Sequence, residues 1–249
     1  MDSKVEFLFL NEEDMIKAGV LDADRAVDTI GEVITLLSEG DYLMGGRAHN
    51  DHGVQLIFPE KSDIPNFPLA DSADRRFMAM PAYLGGRFHM CGEKWYGSNG
   101  RNSHKGLPRS ILMATLNDVE TGQPLAYMSA NLLSAMRTGA MPGLTAMYLA
   151  RKDSKVLTIL GAGVIGRTSL MAIMAKFPDL EVLKIKGSSK TSHTAHELAD
   201  YARENYKSLK EIIICDTLEE AVRDADIIAE AVSVEPRKWP VIDPAWVKP

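Results

Sequence analysis

The chain has 249 residues and a mass of 27.4 kDa, with 45% hydrophobic and 25% charged residues and a formal net charge of -6. That composition fits a folded protein with a sizeable core and excludes a disordered chain. The acidic balance argues against nucleic acid or an anionic membrane as partner, since both reward clustered Lys and Arg. Cys91 and Cys215 stand in unrelated contexts, so neither a disulfide framework nor a cysteine-rich metal site is expected, and the expected setting is reducing and cytoplasmic. The first residues lack the apolar stretch of a signal peptide, and no run approaches the ~20 apolar residues of a membrane span.

In chain order, Val5 to Leu10 reads as a strand, and Asn11 caps a short helix whose first turn is acidic. Asp22 or Asp24 opens a longer helix with a buried stripe of Ala26, Val27, Ile30, Val33, Ile34 and Leu37, ended by Gly40. Strand-like pieces follow at Val54–Phe58, Arg76–Met80, Cys91–Tyr96, Ser110–Leu116 and Pro124–Met128, the last two joined by a turn at 118–123. This first half, residues 1–131, is a strand-rich α+β unit. His49 and His52 lie in a polar loop without a further ligand cluster, and no metal site is expected there. Glu93 is expected on the strand face opposite Lys94. A helix from about Asn131 to Arg151 leads into the second half, with Pro142 expected to kink or restart it.

Residues 132–249 change character. Lys155–Leu160 is an apolar, β-branched run of the kind that forms a buried parallel strand, and from Ile165 to Phe177 apolar residues recur at helical spacing. Between them stands Gly161-Ala162-Gly163-Val164-Ile165-Gly166. In such a strand–turn–helix setting Gly161 permits the turn, Gly163 lets backbone approach a diphosphate, and Gly166 lets helix and strand pack closely. Strands at 181–186, 211–215 and 226–232 alternate with helices at 195–206 and 218–223, which implies a parallel sheet of Rossmann type. No acid follows the second strand; Lys186-Gly187-Ser188-Ser189-Lys190-Thr191 offers hydroxyls and cations instead. A carboxylate there would favour NAD, so Ser188, Ser189 and Lys190 favour NADP(H), with NAD(H) the alternative.

Several segments in one order, "GGRAHND", "FMAMPAYLGG", "CGEKWYGSN", "GLPRSILMATLNDVETGQPLA", "LLSAMRTGAM", "TILGAGVIGR", "DADIIAEAVSVEP" and "PVIDPAWVKP", make the sequence resemble the ornithine cyclodeaminase and μ-crystallin family. The "KWYGSN" and "GLPRS" segments are most similar to its branch of dehydrogenases acting on N-substituted amino acids. The resemblance implies a homodimer binding NAD or NADP, in which an α+β substrate and dimerisation domain precedes a Rossmann domain. It implies hydride transfer at the α-carbon of an amino or imino acid. A cyclodeaminase-type lyase with bound NAD, and a non-catalytic binding protein for NADPH or a small ligand or a subunit of another enzyme, are the alternatives.

By the same resemblance Arg47 and Arg137 hold the substrate carboxylate and Lys94 stands beside the reacting carbon as an acid-base group. Guanidinium groups suit a carboxylate through paired, charge-assisted hydrogen bonds. Thr138 matches a position touching the cofactor phosphates, Val232 and Ser233 face the nicotinamide side, and Ala162, Val164 and Ile165 join the three glycines as cofactor contacts. The resemblance also implies a catalytic aspartate in a strand beyond Pro249. The chain is therefore expected to be C-terminally shortened, with the Rossmann domain incomplete and an apolar face exposed near Ile228 and Val241.

Overall fold

The computed structural model describes residues 4–232 and 242–248 and divides into two compact units, Met1–Val20 with Glu32–Ser134 and Leu21–Gly31 with Ala135–Pro249. Residues 21–31, which a linear division at 131/132 assigns to the first domain, cluster with the second unit.

The first unit is built on a seven-stranded sheet of β1 (Leu8–Leu10), β2 (Tyr42–Met44), β3 (Val54–Ile57), β4 (Arg76–Leu84), β5 (Met90–Ser98), β6 (Ser110–Asp118) and β7 (Pro124–Ser129). Its order is β1-β7-β6-β5-β4-β2, with β3 also on β4; β1 runs parallel to β7 and the other pairs are antiparallel. The first strand starts at Leu8 rather than Val5 and ends at Leu10 as expected, where Asn11 starts α1 (Glu12–Lys17) with a reciprocal cap: Asp14 N donates to Asn11 Oδ1 at 3.0 Å, and Asn11 N to Asp14 Oδ2 at 3.1 Å. The β6–β7 turn is closed by Asp118 Oδ1, which accepts from both Thr121 N and Thr121 Oγ1, while Gly122 takes φ +73°.

Alternation divides the sheet into two faces. One carries Met78, Leu112, Ala126 and Met128, all buried, with Met15 of α1 packed on the last two. The opposite face presents Phe9, Phe77, Trp95 and Ile111 as exposed side chains, with Phe77 and Trp95 stacked at 5.6 Å. Asn131 extends the ladder of β6 beyond the end of β7, its Oδ1 accepting from Leu112 N at 2.8 Å and its Nδ2 donating to Ser110 O at 3.0 Å. Asn131→Ala leaves two backbone groups without these partners and is expected to cost about 2 kcal/mol, read by urea unfolding; a change within error would show that water replaces both bonds.

The second unit holds β8 (Val156–Leu160), α4 (Val164–Lys176), β9 (Val182–Lys186), α5 (His193–Asn205), β10 (Glu211–Ile214), α6 (Leu218–Val222) and β11 (Ile227–Glu230). Its sheet is fully parallel in the order β10-β9-β8-β11. Leu157, Thr158, Ile159 and Leu160 are all inaccessible to solvent, as expected of a strand covered on both faces. Thr158 Oγ1 is satisfied by donating to Ala221 O at 2.6 Å.

Two helices begin outside this sheet, α2 (Ala23–Glu39) and α3 (Asn131–Leu149). Of the two outcomes expected at Pro142, a kink or a restart, the restart does not occur: α3 continues through it to residue 149. Its small residues explain the tolerance: a Cβ on Gly139 would lie 2.4 Å from Thr168, and one on Gly143 would lie 2.8 Å from both Val27 and Ala172. Close packing against α4 and the start of α2 therefore holds the helix across its missing hydrogen bond. In α2, Val27 is fully buried, whereas Ile34, expected in the same stripe, is 43% exposed because only part of that helix meets the α3–α4 core. Lys176 fixes this end of α2 through Asp24 at 2.7 Å and Asp28 at 2.6 Å.

Asp226, immediately before β11, is 5% exposed and serves as a second tie. Its carboxylate accepts from the backbone N–H of Lys155 and Val156 and pairs with Arg151 at 2.9 Å and Lys248 at 2.6 Å. Burial would raise its pKa, but Lys248 and the two N–H donors outweigh that and hold it at about 2. Ile228, expected on a bare apolar face, is partly buried and packs with Ile242 and Trp246 against Leu160, Cys215, Ala221 and Val222; Val241 lies outside the described residues. Cys215 itself is fully buried, which pushes its thiol up to about 11, while Cys91 on β5 is half-buried.

Candidate functional site

The C-terminal ends of three parallel strands converge on Gly161. Gly161 N donates to Lys186 O at the end of β9, and Ala231 N, after β11, donates to Leu160 O. Gly161 takes φ +93°, and a Cβ there would stand 2.6 Å from Ala231 O, so conformation and crowding both demand glycine. Two residues on, Gly163 is the N-cap of α4; its backbone is extended, it offers no side-chain cap, and nothing lies within 4 Å of where its Cβ would be. Open space thus borders the first N–H groups of a 13-residue helix. Gly166 is the reverse case, since its Cβ would fall 2.0 Å from Gly161 O and 3.2 Å from Ile159 Cγ2. The three glycines occupy three distinct environments: a left-handed turn, an open approach and a close helix–strand contact.

Around them, Ala162 is buried, Ile165 half-buried and Val164 60% exposed at the helix start. Val232 N donates to Glu230 Oε1, and Ser233 lies outside the described residues. Beyond β9 the chain folds back, so that a Cβ on Gly187 would meet Ser192 and Ala195 of the following helix. Ser188, Ser189 and Lys190 are left exposed on this loop; Ser189 and Thr191 share a hydroxyl hydrogen bond, and His196 Nε2 lies 3.2 Å from Lys190 O. Those of these residues that are described follow the C-terminal ends of β8, β9 and β11.

On α3, Arg137 is exposed and Thr138 half-buried, next to the crossing where Thr168 Oγ1 donates to Ala135 O at 3.0 Å. In the first unit Arg47 lies exposed in a turn after β2 closed by His49 N to Gly46 O. Lys94 is half-buried on β5, paired with Met80 of β4 and Ala114 of β6 and so on the Met78 face. Its Nζ stands 5.3 Å from the centroid of the Tyr96 ring. Sequence inspection passed over Arg76 and Tyr96, which share that face. Their only signal was the alternation Lys94, Tyr96 along one strand.

A parallel sheet with a strand, a glycine turn of this geometry and a helix, following a mixed-sheet unit, defines a Rossmann-type α/β protein. More narrowly, the chain belongs to the ornithine cyclodeaminase/mu-crystallin family, whose sequence model matches residues 22–249. N-((2S)-2-amino-2-carboxyethyl)-L-glutamate dehydrogenase of Staphylococcus aureus is 37% identical over 178 residues, 71% of this chain and 48% of that protein. Among solved structures, an archaeal alanine dehydrogenase dimer with bound NAD is 29% identical with a TM-score of 0.75, covering 97% of this chain and 64% of its own. The Thermococcus litoralis Delta(1)-pyrroline-2-carboxylate reductase in complex with NADH and L-proline is 26% identical with a TM-score of 0.73, covering 97% and 66%. The chain thus spans about half the length of the first relative and about two thirds of the solved ones. No helix among the described residues is long and apolar enough to cross a membrane.

Proposed function

We propose that the protein is an NAD(P)-dependent oxidoreductase that interconverts an amino acid, or an N-substituted amino acid, with its imine by hydride transfer at the α-carbon. The observation that carries this reading is the division of labour among Gly161, Gly163 and Gly166, which leaves open space and unpaired N–H donors where a diphosphate would lie. The names of the relatives support it, since one is a dehydrogenase of an N-substituted glutamate and two solved neighbours bind NAD or NADH. When bound, the nicotinamide supplies or accepts the hydride. Arg47 and Arg137 grip the substrate carboxylate and fix the α-carbon. Lys94, half-buried beside the Tyr96 ring, exchanges a proton with the substrate nitrogen. Cofactor contacts from Ala162, Val164, Ile165, Thr138 and Val232 belong to the same proposal, the first three being at or beside the glycine turn; Ser233, outside the described residues, is included by family resemblance alone. Oxidation of reduced cofactor by cyclic ketimines, or by pyruvate with ammonia, tests the reading; silence across a broad panel overturns it. Ammonia release from ornithine without net change in nicotinamide absorbance would instead indicate the lyase reaction.

NADP(H) is the proposed cofactor, because Ser188, Ser189 and Lys190 stand exposed beyond β9 and none of them is an acid that would repel a 2′-phosphate. Lys190→Ala is expected to weaken NADPH binding about tenfold and leave NADH binding within a factor of two. Equal effects on both, measured by titration, would remove the 2′-phosphate assignment. A homodimer is supported by the exposed apolar sheet face bearing Phe9, Phe77, Trp95 and Ile111, and a reducing cytoplasmic setting by the two free thiols.

A further inference from the structure

The first unit carries a cationic node that the proposed chemistry leaves unused. Four guanidinium groups share two carboxylates: Arg75 and Arg101 pair with Asp71 at 2.5 and 2.9 Å, and Arg76 and Arg109 pair with Asp74 at 3.0 and 2.7 Å. The node therefore holds two more positive than negative charges, a field that favours an anion. Asp74 is set in place by a left-handed backbone, φ +59°, whose carbonyl accepts from Ser98 Oγ. Such a conformation is costly for a residue other than glycine and persists where surrounding contacts enforce it.

Arg76 is the member that reaches the Lys94 face. It opens β4 opposite Ser98, two residues before buried Met78 on the same side of the sheet. Its Nη1 faces Asp74, and its Nη2 donates to the Tyr96 hydroxyl at 3.0 Å. Nε is buried and has no hydrogen-bond partner. The Nε–Nη2 edge, the side-on edge that matches both oxygens of a carboxylate, thus holds a single neutral acceptor. A buried, charged donor left unsatisfied is costly and uncommon in folded proteins. Lys94 and Arg76 flank one Tyr96 ring, at 5.3 and 5.9 Å from its centroid, so a molecule reacting beside Lys94 has Arg76 within reach of its far end.

We infer that Arg76 is a specificity-determining residue that takes a second carboxylate of the substrate along its Nε–Nη2 edge. The substrate class is then an amino or imino acid with a further acidic group on its side chain or N-substituent. The inference rests on the proposed placement of Lys94 at the reacting carbon.

Two measurements on the whole chain separate its failure from failure of the oxidoreductase reading. In turnover with ammonia and reduced cofactor, kcat/KM for 2-oxoglutarate is expected to exceed that for 2-oxobutyrate, and Arg76→Gln to reduce that ratio about tenfold. Arg76→Lys, which keeps the charge but not the two-pronged edge, should reduce it less. A ratio untouched by either variant, or equal losses on both substrates, overturns the inference and leaves the oxidoreductase reading standing. Calorimetric titration with glutarate and with butyrate needs no turnover: tighter glutarate binding that Arg76→Gln weakens about tenfold supports the site even in an inactive chain. Equal binding of the two acids by the unaltered protein overturns it. Unfolding temperatures of both variants show whether the fold is kept, and if Arg76→Gln does not fold, Arg76→Lys decides.

Discussion

Replacing Gly166 by alanine is expected to lower stability by about 3 kcal/mol and to abolish measurable cofactor binding at the glycine turn. Alanine gains about 1 kcal/mol of helix propensity over glycine. That gain is outweighed because the new Cβ would sit 2.0 Å from Gly161 O, a backbone atom that cannot swing aside as a side chain could. Either α4 lifts from β8 or the turn at Gly161 opens, and both displace the N–H groups proposed to meet the diphosphate. Gly163→Ala supplies the contrast. Nothing lies within 4 Å of its Cβ, and its φ of -82° is open to any residue, so stability should stay within about 0.5 kcal/mol while cofactor affinity falls. Thermal unfolding without ligand, paired with titration by the reduced coenzymes, separates the two effects. If Gly166→Ala unfolds at the parental temperature and binds normally, the close contact has no energetic weight and the role of the turn must be abandoned.

Asp226→Ala is the second large effect, with an expected loss of about 3 kcal/mol, because it strips a buried carboxylate from two backbone donors and from Arg151 and Lys248. The same carboxylate makes stability depend on acid. Its folded pKa, about 2, lies below the usual 3.8, so its contribution is complete above pH 3.8 and is lost as pH falls toward 2. A shift of that size corresponds to about 2 kcal/mol between those limits. The parent should therefore lose stability more steeply than Asp226→Asn between pH 4 and pH 2, as read by chemical unfolding at successive pH values. Parallel curves would assign the acid sensitivity to other carboxylates.

The parallel sheet was legible because its strands are short, apolar and β-branched, and because burial on both faces leaves little room for polar residues in β8. The roles of Gly161 and Gly166 could be read for the same reason: a turn between such a strand and a helix has few solutions. The mixed sheet was harder. Strand β2 has only three residues, too few for alternation to show, and β4 and β5 each run to nine residues through proline, glycine and charged positions that look like breaks. Their continuity comes from pairing with each other along the full length. Ile34 followed the helical stripe faithfully and still came out exposed, since a stripe says which side is apolar and not how far the partner extends. Arg76 and Lys176 were illegible for a different reason. Arg76 gains its meaning from cross-strand register with Ser98, and Lys176 from Asp28, which is 148 positions away. Local sequence holds no record of such distances.

The contrast between the two thiols has a practical consequence. Cys215, sealed among Leu160, Ala221 and Val222 with its proton firmly held, should resist alkylating reagents until the parallel sheet opens, whereas half-buried Cys91 should react first. Once Cys91 is replaced by serine, the slow modification rate of the remaining sulfur becomes a clock for the breathing of the nucleotide-fold core, and its slowing on addition of a dinucleotide would register binding without any spectroscopic label.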